Sequence, residues 1–270
     1  MNIWLSVLFL LVAQVAACEE PPAFGLILEG GEAEAFLRIA DVVDMERIPV
    51  GVTEPQKVTL RKGQQTLNAV WKTIDEEQRI QRLDGRVPEI GFRDSFKHEI
   101  AAYELDKLLG LGLVPPTVGR EIDGEEGSLQ LWLVGVMTDT ERRKKNLQPP
   151  SPQAWNNQMF TIRLFLQLTH DTDYNNVSNL LIDPEFRIYA IDFSRAFRLH
   201  HRLRKEESLT RFSRTVINSL RELDNERVAE KLSPWLSDAQ ITSLLNRRDR
   251  ILELVAERIA ERGEAAVMYP

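Results

Sequence analysis

The sequence predicts an α+β protein in which a β-rich N-terminal lobe, residues 33–137, precedes an α-helical C-terminal lobe, residues 138–270. Apolar and polar residues alternate in VGVTEPQKVTLRKGQQTLNAVWKTID, and a break at Lys62 and Gly63 divides this segment into two antiparallel strands. From Glu206 onward the pattern is helical instead. Early strands and late helices are typical of α+β proteins, and the cleft between two lobes is a common ligand site.

Spacing and turn residues predict the other N-terminal elements. Residues 33–46 predict a helix, whereas the charged segment 76–94, interrupted by Gly and Pro, predicts a loop. SFKHEIAAYELDKLLGLG has apolar residues at helical intervals, with Ser95 as its N-cap and Gly110 as a stop. We expect two further strands, in LVPPTVGREI and SLQLWLVGVM.

The C-terminal lobe is predicted to begin with a helix over residues 152–169. Two short strands joined by a turn follow in NNVSNLLIDPEFRIYAIDFSRAF, with Asn179 just before the first strand and Asp192 at the end of the second. The last long helix begins at SDAQ, where Ser237 and Gln240 fit a capping box.

Composition and charge narrow the class of protein. With 270 residues and 43% hydrophobic content, the chain can bury a sizeable core in one two-lobed domain or two small ones. Its net charge of −7 provides no basic footprint, which argues against nucleic acid as a main partner. Cys18 is the sole cysteine, so an internal disulfide is excluded.

The N-terminus is predicted to be a signal peptide, residues 1–17, followed by a polar linker, residues 18–32. The apolar stretch is shorter than the roughly 20 residues of a membrane-spanning helix. VAAC resembles a bacterial lipobox, which implies cleavage before Cys18, a lipid on its thiol and a membrane anchor. By resemblance to Gram-negative lipoproteins, Glu19 implies export to the periplasmic face of the outer membrane. The alternative is a buried N-terminal helix with a core cysteine.

Two residues of opposite charge lie in apolar elements of the N-terminal lobe. Lys72 lies in the strand NAVWKTI, and Glu99 shares a helix face with Phe96 and Tyr103. A carboxylate on a partly apolar face needs a cationic partner, because unpaired burial is costly, and Lys72 is the obvious candidate. The alternatives are an outward-facing lysine and a surface acid, with Glu104 equally available.

Polar side chains cluster around the C-terminal hairpin. THDTDYNNVSN supplies Asp171, Asp173, Asn176 and Asn179, whose carboxylate and amide oxygens are the ligands that Mg²⁺ and Mn²⁺ prefer. A turn rich in Asp and Asn explains this run equally well. Asp192 favours the metal site, because RIYAID predicts a buried strand whose terminal carboxylate points into the bordering cleft.

The order of these residues resembles that of phosphoryl-transfer enzymes of the protein-kinase type, which use a strand lysine, a helix glutamate, a catalytic Asp, an Asn and a metal-binding Asp. HEIAAYELDKLLGLGLVPPTVGR is similar to the secreted Fam20 kinases and to phosphatidylinositol 3/4-kinase-like and HipA-like relatives. AVWK, NLLID and IDFSRAF resemble uncharacterised bacterial members of that group. The resemblance covers residues 36–200 and implies a two-lobed protein-kinase-like fold.

The resemblance also implies a role for each residue. Lys72 would contact the phosphates of ATP, Glu99 would hold Lys72 in place, and Asp173 would orient or deprotonate an acceptor hydroxyl. Asn179 and Asp192 would bind Mg²⁺ or Mn²⁺. The implied adenine-binding residues of the hinge LWLVGVM are Leu133 and Val134.

The catalytic loop departs from the family pattern. Tyr174 stands where Arg is expected, and Asn179 lies six residues after Asp173, whereas Asn176 lies five residues after Asp171. Either the loop has one extra residue, or Asp171 and Asn176 take over the two roles. The thirteen-residue interval from Asn179 to the strand-end aspartate favours the insertion.

Functions of three classes are compatible with this pattern. The first is an ATP- and divalent-metal-dependent kinase acting on a hydroxyl of a protein, lipid or small molecule, which the ordered residues favour. The second is a catalytically weak or inactive kinase-fold lipoprotein that binds a nucleotide or a protein in the cell envelope, where ATP is scarce. A hydrolase or metal-binding protein using only the Asp/Asn cluster leaves Lys72 and Glu99 without a role.

Overall fold

A computed structural model describes residues 24–49, 55–81, 89–173 and 175–270. The predicted signal peptide and Cys18 lie outside the described residues, as does Tyr174. Among the helices of the described ranges, none combines the length and the apolar character needed to cross a membrane.

Strands dominate the first half of the chain and helices the second half. The helices are α1 (Gly30–Ile39), α2 (Phe96–Leu109), α3 (Asp139–Lys144), α4 (Pro152–Leu168), α5 (Arg214–Arg221), α6 (Asn225–Leu232), α7 (Asp238–Arg262) and α8 (Glu264–Val267). The strands are β1 (Asp41–Arg47), β2 (Gln56–Lys62), β3 (Gln65–Lys72), β4 (Asp75–Gln81), β5 (Glu89–Ser95), β6 (Thr117–Ile122), β7 (Glu125–Leu131), β8 (Met137–Thr138), β9 (Leu180–Ile182), β10 (Ile188–Ala190), β11 (Phe212–Ser213) and β12 (Met268–Tyr269).

The main sheet of the N-terminal lobe is antiparallel, and its order within the described residues is β1-β2-β3-β7-β6. The predicted break at Lys62 and Gly63 is confirmed as the turn between β2 and β3. Helix α1 covers one face of the sheet and belongs to the same apolar core as Ala69 and Trp71 of β3. Because side chains alternate along a strand, Lys72 points to the other face, toward the lobe interface.

Two predictions about the N-terminal lobe are wrong. The helix expected over residues 33–46 ends at Ile39, and Asp41–Arg47 forms β1, whose β-branched Val42 and Val43 suit a strand paired with β2. The loop expected over residues 76–94 contains two antiparallel strands, β4 and β5. Strand pairing satisfies backbone groups whatever the side chains are, so a polar composition does not exclude it.

Helix α2 lies between the two lobes. Its predicted ends are confirmed: the Ser95 side chain accepts a hydrogen bond from the Lys97 N–H, and Gly110 ends the helix at a φ of 66°, which suits glycine. The helix contacts β6 and β7 on one side and α5 and α6 on the other. It is therefore buried on several faces, and its position is determined by both lobes.

The C-terminal lobe contains the larger apolar core, which draws on α4, α5, α6, α7 and the β9–β10 hairpin. The helix predicted over residues 152–169 is confirmed as α4, and the hairpin is confirmed with Leu180 opposite Ala190. Ser237 and Gln240 form the predicted capping box of α7. The hairpin presents its two ends, before β9 and after β10, to the cleft beneath α2.

Asp106 of α2 is a buried carboxylate that holds the turn after the helix. Its Oδ1 accepts a hydrogen bond from the Leu113 N–H at 2.9 Å, and the residue is 2% exposed. Burial raises the pKa of this carboxyl to about 7, although the backbone hydrogen bonds oppose the shift. The folded protein therefore keeps a proton on Asp106 at a pH where the unfolded chain has released it.

We expect Asp106→Asn to gain stability relative to the unaltered protein as the pH rises from about 4 to about 7. The raised pKa of Asp106 stabilises the fold fully below the unfolded value, and this contribution is lost as the pH rises through about 7. The asparagine keeps an acceptor oxygen but carries no titratable proton, so the difference should grow by up to roughly 1.4 kcal/mol per pH unit. Urea unfolding of both proteins across this range measures it, and parallel pH curves would contradict the assignment.

Gly127 of β7 allows close packing of β7 against β3. A Cβ on Gly127 would lie 2.5 Å from the carbonyl oxygen of Lys72 and 2.7 Å from the ring of Trp71. Gly127→Ala should therefore lower the free energy of unfolding by about 1–3 kcal/mol, because backbone atoms must move. Gly31 of α1 has open space around it, so Gly31→Ala should leave stability unchanged or raise it by up to about 1 kcal/mol. Equal effects of the two alanines in urea unfolding would contradict this packing.

Candidate active site

Lys72 forms two ion pairs at the lobe interface. Its Nζ lies 2.5 Å from Glu99 Oε1 and 2.7 Å from Asp192 Oδ1, and the Glu99 side chain is 2% exposed. Burial alone would lower the pKa of Lys72, but the two carboxylates outweigh it and raise the pKa above its ordinary value. The lysine therefore stays positively charged across the physiological pH range.

The two carboxylates differ in their surroundings. The charge of Lys72 lowers the pKa of Asp192, whose side chain is 41% exposed toward the cleft. Burial raises the pKa of Glu99, and the negative charge of Asp192 adds to this effect, while Lys72 opposes it. Asp192 is thus the ionised carboxylate that a ligand can reach, and Glu99 is the inner partner of the lysine.

The chain after Asp192 is bound to the first turn of α2. The Phe193 N–H donates to Glu99 Oε2 at 3.0 Å, and the Ser95 N–H donates to the Ser194 carbonyl at 2.9 Å. Asp192 has a φ of 67°, a left-handed conformation that a residue with a side chain keeps only when its surroundings hold it there. These two bonds supply that support, so the aspartate faces the lysine.

The two aspartates of the loop before β9 differ in burial. Asp171 is 3% exposed, and its Oδ1 accepts a hydrogen bond from the Asp173 N–H at 3.0 Å. Burial raises the pKa of Asp171 to about 7. Asp173 is half-buried, and its Oδ2 accepts from the side-chain amides of Asn176 at 2.9 Å and Asn179 at 3.3 Å. This geometry pairs Asp173 with Asn179 and makes Asp171 an internal support of the loop, which favours the loop with one extra residue.

Asp94 is a further carboxylate at this site, and the sequence reasoning missed it. It lies in β5, directly before the N-cap of α2, is 6% exposed and forms a hydrogen bond with Ser194. Burial raises the pKa of Asp94, and the charge of Asp192 adds to the shift. Its Oδ1 is buried without a hydrogen-bond partner among the described residues. Such an orphaned acceptor fits a position next to a bound cation.

These side chains fit a hard divalent cation. Asp94 and Asp192 provide carboxylate oxygens, and Asn179 provides an amide oxygen, which are the donors that Mg²⁺ and Mn²⁺ take. Within the described ranges, no group of three or more His, Cys, Asp or Glu residues is assembled as a metal site. A cation that binds through one or two carboxylates and completes its shell with phosphates and water needs no such group.

A cavity of about 370 Å³ lies between the sheet and the hairpin, and near neighbours of Lys72 and Asp192 along the chain line it. Val70, two residues before Lys72, forms one wall, and Leu181 and Ile191 of the hairpin region form the opposite wall. Glu141 and Thr138 line the same cavity and add polar groups. An apolar slot with a few polar groups suits a flat, polar-substituted ring.

The two predicted hinge residues differ in position. Leu133 lines this cavity, whereas the Val134 side chain does not and is 42% exposed. The Val134 N–H donates to the Gly25 carbonyl at 3.0 Å, and the Val134 carbonyl accepts from the Gly25 N–H at 2.8 Å. The backbone of Val134 is therefore already paired. Gly25 belongs to the predicted linker of residues 18–32, so the described part of that linker is packed on the hinge.

A second cavity, of about 260 Å³, adjoins the loop before β9. Asp173 and Asn179 line it together with Ile162 and Leu166 of α4, and Arg163 contributes a basic group. Because this cavity includes the half-buried aspartate, it offers space for an acceptor group beside that carboxylate.

Sequence comparisons give no assignment for this chain. No protein-family model matches it, and no curated protein matches it.

Solved structures, by contrast, align with most of the chain. The structure of hydra Fam20 with sugar covers 87% of this chain and 90% of its own, at 17% identity and a TM-score of 0.65. The alignment with the Golgi casein kinase with Mn/ADP bound covers 88% of this chain and 78% of that chain, at 14% identity and a TM-score of 0.62. The alignment with the Helicobacter pylori proinflammatory kinase CtkA covers 83% of this chain and 97% of that chain, at 10% identity and a TM-score of 0.54.

At these identities the likeness concerns the fold, and the fold expected from the sequence is confirmed. The chain has a kinase-like fold, with an N-terminal antiparallel sheet and C-terminal helices.

Proposed function

We propose that this protein is an ATP- and divalent-metal-dependent phosphotransferase that acts on a hydroxyl acceptor. The observation that carries the proposal is the pair of ion bonds that Lys72 forms with Glu99 and Asp192 at the lobe interface. The neighbours of this lysine and of this aspartate along the chain, Val70 and Ile191, line an apolar cavity. Phosphoryl transfer requires mainly positioning and charge stabilisation, and these residues supply both. The kinase-like fold and its kinase relatives support the same reaction class.

Each side chain has a role in this proposal. Lys72 binds the phosphates of ATP, and Glu99 keeps the lysine in place through the buried ion pair. Asp192, Asn179 and Asp94 hold Mg²⁺ or Mn²⁺, which neutralises phosphate charge when bound. The Golgi casein kinase, whose structure contains Mn and ADP, has the same fold and supports this cofactor pair.

The adenine ring would lie in the cavity of about 370 Å³, against Leu133 and the hairpin residues Leu181 and Ile191. Val134 is less suited to bind adenine than Leu133, because Gly25 occupies its backbone groups. Asp173 would accept the proton of the acceptor hydroxyl, since it is the more exposed aspartate of the loop and adjoins the second cavity. The acceptor is a protein, a lipid or a small molecule.

Replacing Asp192 with alanine should abolish metal-dependent nucleotide binding, because the variant loses the exposed carboxylate that would bind the cation. Calorimetric titration of the full chain with ATP, in the presence of Mg²⁺, of Mn²⁺ and of no metal, measures this loss. Glu185→Gln is the matched control, since it removes an exposed carboxylate from the turn of the same hairpin and should bind normally. Unchanged binding by Asp192→Ala would refute the site.

An assay of phosphate transfer and ATP hydrolysis, run beside the titration, separates binding from turnover. Asp173→Asn should retain nucleotide binding and lose phosphate transfer or ATP hydrolysis by about 100-fold or more, as expected for loss of a general base. Nucleotide binding without turnover in the unaltered protein would support the alternative function, a catalytically weak or inactive kinase-fold lipoprotein that binds a nucleotide or a partner protein. Tyr174, in place of the expected arginine, is the sequence feature that favours this alternative.

We further propose that the protein is exported, lipidated on Cys18 and anchored to the Gram-negative outer membrane on its periplasmic face. The support is the sequence alone, with an apolar leader of residues 1–17 that runs into the cysteine of VAAC. Cells that express the full chain should incorporate labelled palmitate into it, and Cys18→Ser should abolish this incorporation. Equal labelling of both forms, or no labelling of either, would contradict the anchor.

A further inference from the structure

His98 of α2 is a buried histidine with a hydrogen bond at each ring nitrogen. Its Nδ1 lies 2.8 Å from the Ser194 carbonyl oxygen, and its Nε2 lies 3.0 Å from Nε2 of Gln240 in α7. The residue is 3% exposed and precedes Glu99 in the helix. Its ring also packs against Phe197, at 5.8 Å between ring centroids.

The surrounding hydrogen bonds determine which ring nitrogen carries the proton. The Ser237 N–H donates to Gln240 Oε1 at 3.0 Å, so the amide oxygen faces the N-terminus of α7. The Gln240 amide nitrogen then donates one hydrogen to the Phe197 carbonyl at 3.1 Å and the other to His98 Nε2. Nε2 is therefore an acceptor, and Nδ1 carries the hydrogen that it donates to Ser194.

The hydrogen bonds of this tautomer connect three parts of the chain, which are α2, α7 and the segment after Asp192. The Ser194 carbonyl accepts from both His98 and the Ser95 N–H, while the Phe197 carbonyl accepts from Gln240. Residues 194 and 197 follow Asp192, the residue whose left-handed backbone must be held. The capping box of α7 thus fixes Gln240, Gln240 fixes the histidine tautomer, and the histidine holds the segment that carries the metal-binding aspartate.

We infer that His98 is a positioning residue of the nucleotide–metal site, acting through its Nδ1–H bond to the Ser194 carbonyl to fix Asp192 opposite Lys72. This inference rests on the proposed function. Burial lowers the pKa of His98 to about 4. The ring therefore stays neutral at physiological pH and keeps the same hydrogen bonds there. The hydrogen bond from His98 to the Ser194 carbonyl thereby holds α2 against the segment that follows Asp192.

Two substitutions separate the hydrogen bond from the volume of the ring. The amide nitrogen of His98→Asn takes nearly the position of Nδ1 and can still donate to Ser194, whereas His98→Phe keeps a ring and loses both bonds. We expect His98→Asn to bind Mn²⁺–ATP within about threefold of the unaltered protein, and His98→Phe to bind about tenfold or more weakly. His201→Phe, at an exposed histidine, is the control and should bind normally.

The readout is calorimetric titration of the full chain with Mn²⁺–ATP, alongside thermal unfolding of each variant. Weak binding by a folded His98→Phe together with rescue by His98→Asn supports the inference. Equal affinity of His98→Phe and the unaltered protein overturns it and leaves the proposed function intact. No binding by the unaltered protein overturns the proposed function, and this inference with it.

A second measurement needs no variant, and therefore does not depend on the folding of His98→Phe. Nitrogen-15 NMR of the histidine rings in the full chain distinguishes the two neutral tautomers. We expect one buried histidine with its proton on Nδ1 and with an Nε2 that accepts from a glutamine amide. A His98 ring protonated on Nε2 instead would overturn the inference, because such a ring could not donate to Ser194.

Discussion

The rest of the site depends on the cost of burying the Lys72 ammonium group. An ion taken out of water loses several kcal/mol of solvation, and its position is tolerable only where opposite charges and hydrogen bonds replace the lost water. Glu99 and Asp192 supply these charges from two other elements, a helix and the end of a hairpin. One charged group therefore links β3, α2 and the β9–β10 hairpin. Displacing any of the three would leave a charge buried without its partner.

Helix α2 carries Glu99 and packs against both lobes, so it links the ion pairs of Lys72 to the rest of the fold. Its first turn binds the segment after Asp192 through backbone and side-chain groups, and its sides pack against strands of one lobe and helices of the other. In kinases the lysine–glutamate pair must be in place before phosphoryl transfer. Here the pair is formed, and the His98–Gln240 hydrogen bonds extend its support to α7. The helix is thus held from both lobes.

The kinase-like fold and the local chemistry are separate arguments that agree. The solved structures align with most of this chain, but the three compared are at most 17% identical to it. They therefore support the architecture alone. Phosphate transfer is proposed from the side chains: a charged lysine, an ionised aspartate at a cleft and, in the described part of the chain, a buried carboxylate oxygen on Asp94 without a hydrogen-bond partner. Fold alone supports many chemistries, so the proposed reaction rests on these side chains as well.

The sequence by itself determined the local elements whose signals lie within a few residues: the β2–β3 turn, the caps of α2, the capping box of α7 and the C-terminal hairpin. Only the tertiary structure decided whether Lys72 meets Glu99, which aspartate of the loop is buried, and that Gly25 pairs with Val134. It also decided that the polar segment 76–94 contains strands and that Asp94 faces the site. The physical reason is the same throughout. Caps and turns depend on backbone groups close in sequence, whereas burial, charge pairing and strand pairing depend on groups that only the folded chain brings together.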